Sequence, residues 1–172
     1  MKTNSRNTQS FFQLAYKSFS AIVLIAATLF TQATYAQDGS VPGAELYHSY
    51  LDIKNALVSG DAPTASSKAE QFVKILNGMD PKFIQQGTLN AMVKHAGLLS
   101  ASKDLRHQRE EFQPLSANMY LVAKSMKLSS DPIYYAYCPM KKAYWLSNEA
   151  VIKNPYYGSS MLTCGKVQET LK

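Results

Sequence analysis

Two cysteines stand near the end of the chain, each with a methionine close by: Cys138-Pro139-Met140 and Met161-Leu162-Thr163-Cys164. Thiolate and thioether sulfur are soft donors. Gathered at one point, the four would suit Cu(I) better than calcium, magnesium or a water-activating zinc. Cys138 and Met140 are two apart, so in an extended segment both side chains point the same way, although Pro139 interrupts the strand before it. Met161 and Cys164 have the spacing that shares one face of a helical turn. Zinc fits poorly, because thioethers are outside its usual ligand set. The competing reading is a Cys138–Cys164 disulfide, with both methionines as packing residues. Closing that loop would stabilise the fold by roughly 3.5 kcal/mol in the chain-entropy model. The residues themselves leave both readings open.

Other groups that do chemistry offer less. His48 falls about 200° round its helix from Leu46, which predicts a solvent-facing side chain. His95 and His107 lie on helical segments remote from the cysteines. A blue-copper site needs two histidines beside its cysteine, and the tail has none. Met119 and Met126 fall on an apolar helical seam, which predicts packing residues. Arg106, Arg109, Glu110 and Glu111 read as a solvated helix face. There is no Ser-His-Asp arrangement, phosphate-binding glycine loop or zinc-hydrolase motif, so no enzyme is expected.

The elements that must position the sulfurs begin after a leader. Lys2, Arg6 and Lys17, the apolar run Ala21–Phe30 and the small residues Thr34 and Ala36 have the layout of a signal peptide spanning 1–36. The apolar run is too short to span a bilayer. Removing the leader halves the net charge of +6. The mild excess left, with no dense basic block, argues against nucleic-acid binding. The mature chain, 37–172, is expected to be one periplasmic domain with no membrane span. In that oxidising compartment two cysteines favour a disulfide by default.

Apolar periodicity predicts four helices, at about 44–59, 62–77, 81–99 and 102–127. Gly60 is a helix stop and Asp61 a cap, with Pro63 in the following first turn. Asp80-Pro81 reads as the start of the third helix, and Ser100 or Ser102 as the cap of the fourth. That last helix has the most regular seam: Leu105, Gln108, Phe112, Leu115, Met119, Val122 and Met126. Pro114 within it predicts a kink or a division near Gln113. The fold expected is an all-α antiparallel four-helix bundle. Its appendage is an aromatic-rich tail over 131–168, irregular or in short strands. The tail holds Tyr134, Tyr135, Tyr137, Tyr144, Tyr156 and Tyr157 of the eleven tyrosines, and the one tryptophan, Trp145. Tyr144-Trp145 and Asn154-Pro155-Tyr156-Tyr157 either bury the tail on the helices or form a partner-binding surface.

Four motifs together resemble a bacterial periplasmic domain family of unknown function, DUF3347. They are Tyr137-Cys138-Pro139-Met140, Ala143-Tyr144-Trp145-Leu146-Ser147, Asn154-Pro155-Tyr156-Tyr157-Gly158 and Met161-Leu162-Thr163-Cys164-Gly165. Gln108-Arg109, Phe112 and Leu115-Ser116 resemble its helical part. The family occurs alone or fused to periplasmic adaptor subunits of copper and silver efflux pumps. The resemblance implies heavy-metal handling. The ion would be Cu(I) or Ag(I), the ligands Cys138, Met140, Met161 and Cys164, and the partner such an adaptor subunit. The alternative is a non-catalytic structural or adaptor module held by the disulfide.

Overall fold

A computed structural model describes residues 43–172; the expected leader, 1–36, lies outside the described residues. Helix α1 (Ala44–Ser59) ends where Gly60 turns left-handed at φ 75° and its N–H caps the carbonyls of Ala56 and Leu57. Helix α2 (Ala62–Gly78) starts on Asp61, whose carboxylate accepts from the Thr64 N–H at 3.0 Å and the Thr64 hydroxyl at 2.7 Å. Helix α3 (Gln86–Ala101) begins later than Pro81. Asp80 does cap, but it caps a turn, accepting from the Lys82 N–H at 2.9 Å. Helix α4 (Leu105–Ser125) takes Asp104 as its cap, not Ser100 or Ser102. It runs through Pro114 as one element, undivided at Gln113.

Each helix packs on the next in sequence. The shared core takes Leu46, Tyr50, Ile53 and Leu57 from α1 and Phe72 and Leu76 from α2. From α3 come Met92 and Leu99, and from α4 Phe112, Leu115, Met119 and Val122. Gln108, the polar member of the α4 seam, is buried and donates to the carbonyls of Ala62 at 2.9 Å and Ser102 at 2.8 Å. It therefore ties α4 to the start of α2 and to the link after α3. Among the described residues no helix is long and apolar enough to cross a membrane.

The expectation of an all-α chain is corrected after α4. Three strands, β1 (Ile133–Cys138), β2 (Ala143–Ser147) and β3 (Lys166–Leu171), form an antiparallel sheet in the order β2-β1-β3. The fold is mostly helical with a small sheet. Strand β1 pairs Tyr135 with Leu146, Tyr137 with Tyr144 and Cys138 with Ala143. Against β3 it pairs Ile133 with Leu171 and Tyr137 with Lys166, with a bulge between Tyr135 and Ala136.

Pairing and alternation give the sheet two chemically different faces. One carries Tyr135, Tyr137, Tyr144 and Leu146. It meets α4 through Tyr120, which stacks on Tyr135 with centroids 3.9 Å apart, and Tyr135 stacks in turn on Tyr144 at 4.7 Å. The Leu146 N–H donates to Tyr50 Oη at 3.0 Å, and that hydroxyl also bonds Ser116 Oγ at 2.7 Å. At the outer strand, Glu169 accepts from the Tyr120 hydroxyl at 2.6 Å and from the Lys124 ammonium at 2.8 Å. The opposite face carries Ala136, Cys138, Ala143 and Trp145, all buried. Trp145 meets Tyr156 edge-on at 6.1 Å, and Tyr156 packs on Phe112 of α4 at 5.9 Å. This second face thus lies beneath the segment between β2 and β3, which carries Cys164.

Candidate functional site

Cys138 is the last residue of the central strand, and its side chain is 0 % exposed. Pro139 cannot donate to a ladder, so the strand stops there and the chain turns back over 139–142. Lys142 closes the turn at φ 56°. Met140 therefore sits in a turn and not on an extended strand, and it is 64 % exposed. The expected common direction of Cys138 and Met140 does not hold, because alternation applies only within a strand.

The second cysteine arrives by a different route. After β2 the chain passes Asn154-Pro155, makes a single 3₁₀ turn at Gly158–Met161 and reaches Cys164 just before β3. The Cys164 N–H donates to the Met161 carbonyl at 3.1 Å, so the two do sit on one turn. Met161 and Cys164 are both half-buried. Gly165 follows at φ 148°, a conformation that side chains rarely adopt. A Cβ at that position would lie 2.8 Å from the Trp145 ring and 3.0 Å from the Tyr137 carbonyl oxygen. A glycine here is what lets the segment close onto the sheet.

The outcome is a sulfur pair: Cys138 Sγ and Cys164 Sγ are 3.2 Å apart, both as free cysteines. A covalent S–S bond is about 2.05 Å. Cys138 has one backbone donor beside its partner sulfur. The Lys141 N–H points at its sulfur from 3.5 Å. Burial pushes the Cys138 thiol up. The Lys141 N–H, the Cys164 thiol, the Asn154 amide and the Met140 N–H outweigh burial and bring its pKa below the ordinary thiol value. Cys164 moves the other way, first through the hydrogen bond it makes to Cys138, then through burial and the charge of its neighbour. The pair is accordingly asymmetric, with Cys138 the more acidic of the two thiols.

Asn154 holds this arrangement together and is fully buried. Its side-chain amide donates to the Cys164 carbonyl at 2.7 Å, and its side-chain oxygen accepts from the Tyr156 N–H at 2.8 Å. Its backbone N–H donates to the Leu162 carbonyl at 2.8 Å, and its own carbonyl accepts from the Gly158 N–H at 3.0 Å. Arg109 braces the same segment from α4. Its Nε donates to the Pro155 carbonyl and its Nη2 to the Leu57 carbonyl, both at 2.9 Å.

The expected solvated face on α4 holds for Arg106 and Glu110, which are exposed, and not for Arg109 and Glu111. Arg109 points inward, and Glu111 pairs with His95 at 2.7 Å. Asn154, Pro155, Tyr156 and Trp145 are buried, so those motifs pack the tail and are not an open partner surface; only Tyr144 is exposed. His48 is exposed, and His107 lies 3.8 Å from Glu110. Met119 is buried in the core. Among the described residues no group of three or more His, Cys, Asp or Glu side chains gathers to hold a metal. The soft donors at the sulfur pair are the ones to consider.

A family model described as a protein of unknown function, DUF3347, matches residues 46–131, half of the chain. The chain belongs to the DUF3347 family. The match covers the four helices and ends before β1, so the sulfur pair lies beyond the matched residues. No curated protein matches the chain, and no solved structure matches it.

Sequence reasoning missed Asn154 and Arg109 as parts of the site. Asn154 carried a signal, since Asn-Pro marks a turn whose side chain can bond the backbone beyond it. Arg109 carried none, because its targets are carbonyls brought near only by the fold.

Proposed function

We propose that this DUF3347 protein is exported to the periplasm and binds Cu(I) or Ag(I) through sulfur. It buffers the ion or hands it to the adaptor subunit of a heavy-metal efflux pump. The observation that carries this reading is the 3.2 Å approach of Cys138 and Cys164. Two sulfurs on one ion at a metal–sulfur distance of about 2.3 Å stand roughly 3.8 Å apart or more. The pair has only to widen modestly, and Cys164, half-buried on a turn, is the side that yields. Donors around Cys138 favour the thiolate, which is the form that ligates. Met161, on the turn with Cys164, and Met140, in the turn that follows Cys138, are the thioether ligands in this reading.

Anaerobic titration of the reduced protein with Cu(I) against a chromogenic chelator tests the proposal. The wild type should compete for the ion, and the Cys138→Ser/Cys164→Ser double variant should not. Equal affinity in both would end the reading.

The same 3.2 Å approach favours a second reading, a disulfide that staples β1 to the segment before β3 in a structural or adaptor module. Counting free thiols in protein taken straight from the periplasm separates the two. Two reactive thiols in metal-free protein would exclude a permanent bridge.

A further inference from the structure

We propose that the soft ion reaches the sulfur pair as a small anionic complex, gathered by Lys141, Lys142 and Lys166. This rests on the metal-binding reading of the pair and names the form in which the ion arrives. All three lysines border the sulfurs. The Lys141 N–H lies 3.5 Å from Cys138 Sγ, and Lys142 follows it, closing the turn at φ 56°. Lys166 stands two residues after Cys164 and pairs across the ladder with Tyr137, the neighbour of Cys138. Lys142 and Lys166 are exposed, and Lys141 is half-buried. Among the described residues none of the three meets a carboxylate, whereas Lys153 pairs with Glu149 at 2.6 Å and Lys124 with Glu169 at 2.8 Å. Residues 132–148 and 154–168, which carry the two sulfurs, hold these three lysines and no Asp or Glu. Two residues of chain span at most about 7 Å, so the three charges act on the pair within roughly one Debye length at 0.1 M salt. Such a field repels a bare cation and draws in an anion. A complex of net negative charge therefore arrives with its help. The ion then leaves its carrier ligands for the two sulfurs, whose protons pass to water, and the ligands depart as anions with no change of oxidation state.

The triple variant Lys141→Gln/Lys142→Gln/Lys166→Gln tests the assignment by anaerobic stopped flow on the reduced protein. Cu(I) is offered as its anionic bicinchoninate complex and as its cationic acetonitrile complex. Relative to wild type, the variant should take the ion about tenfold more slowly from the anionic source and no more slowly from the cationic one. Equal slowing from both, or slowing from neither, overturns the proposal, because lysines that only neutralise the bound site do not distinguish the carriers. Should the variant fail to fold, the wild type decides by ionic strength. Added sodium nitrate should slow uptake from the bicinchoninate complex and not from the acetonitrile complex, and an anionic source indifferent to salt would refute it. If the wild type takes Cu(I) from neither source, the metal reading falls, and thiol chemistry decides whether the lysines gather anions at the pair. Dithiobis(nitrobenzoate) is an anionic disulfide and dithiodipyridine a neutral one, and a protein thiolate attacks either, displacing half of the reagent. At fixed pH the ratio of the two rates cancels the thiolate fraction. That ratio should fall about tenfold in the variant, and an unchanged ratio would show that the lysines gather nothing.

Discussion

Arg109 of α4 donates to the carbonyl oxygen of Pro155 at 2.9 Å, and this bond fastens the segment bearing Cys164 to the helices. A second bond from the same guanidinium reaches the end of α1 at Leu57, also at 2.9 Å. Arg109→Ala leaves both carbonyls without this partner and should cost about 2 kcal/mol in urea denaturation. Arg109→Lys should recover little, since an ammonium lacks the planar fork that meets two acceptors. A loss below about 0.5 kcal/mol would show that water replaces the arginine freely.

Tyr50→Phe should remove a junction of three elements. The Tyr50 hydroxyl joins α1 to Ser116 of α4 and to the Leu146 N–H of β2. Leu146 is buried, so its N–H would be left without a partner, at a cost of about 1–3 kcal/mol. Hydrogen exchange at the Leu146 amide should accelerate by more than the global loss of stability explains. Unchanged protection there would contradict the junction.

Gly165→Ala should disturb the sulfur pair from the other side. The added carbon meets the Trp145 ring and the Tyr137 carbonyl, on a backbone at φ 148°. Relief requires the Cys164 segment to lift from the sheet. The expected loss is about 2–3 kcal/mol, together with slower disulfide formation under mild oxidation. Wild-type oxidation kinetics in this variant would mean that the approach of the sulfurs does not depend on the glycine.

Lys54 on α1 is only 1 % exposed, and burial brings its pKa down to about 8, with Glu149 opposing the shift and Lys153 adding to it. In the unfolded chain a lysine titrates near 10.4. Between about pH 8 and about pH 10 the unfolded state binds more protons at this residue, so its contribution to stability rises with pH. Below about pH 8 that contribution is lost. Lys54→Met should therefore stabilise the protein by about 2–3 kcal/mol at neutral pH, and the gap to wild type should narrow as pH rises. A gap that does not change with pH would show that the lysine keeps an ordinary pKa in the fold.

The α4 seam was legible because one apolar period runs its length, and Phe112, Leu115, Met119 and Val122 are all buried as that period requires. Cap and stop residues at Gly60 and Asp61 were legible for the same local reason. Strand β3 was not. Its sequence Lys166–Leu171 has no buried residue, so it carries no alternation to read. It is a strand because β1 offers it a ladder, and that is tertiary information. The sulfur motifs stood out by residue type, yet their meeting across 26 positions depends on a turn at Pro139, the Asn154 loop and a glycine that admits close contact. Met140 was misplaced because the chain past Pro139 is a tight turn and not extended, so its alternation with Cys138 is lost.

Strand β1 lies between two partners, and Cys138 ends it paired with Ala143 of β2, whereas Cys164 sits in the loop before β3. The site joins a sulfur set in the sheet to one set in a loop. Any widening of the pair works against the Asn154 and Arg109 hydrogen bonds that hold that loop down.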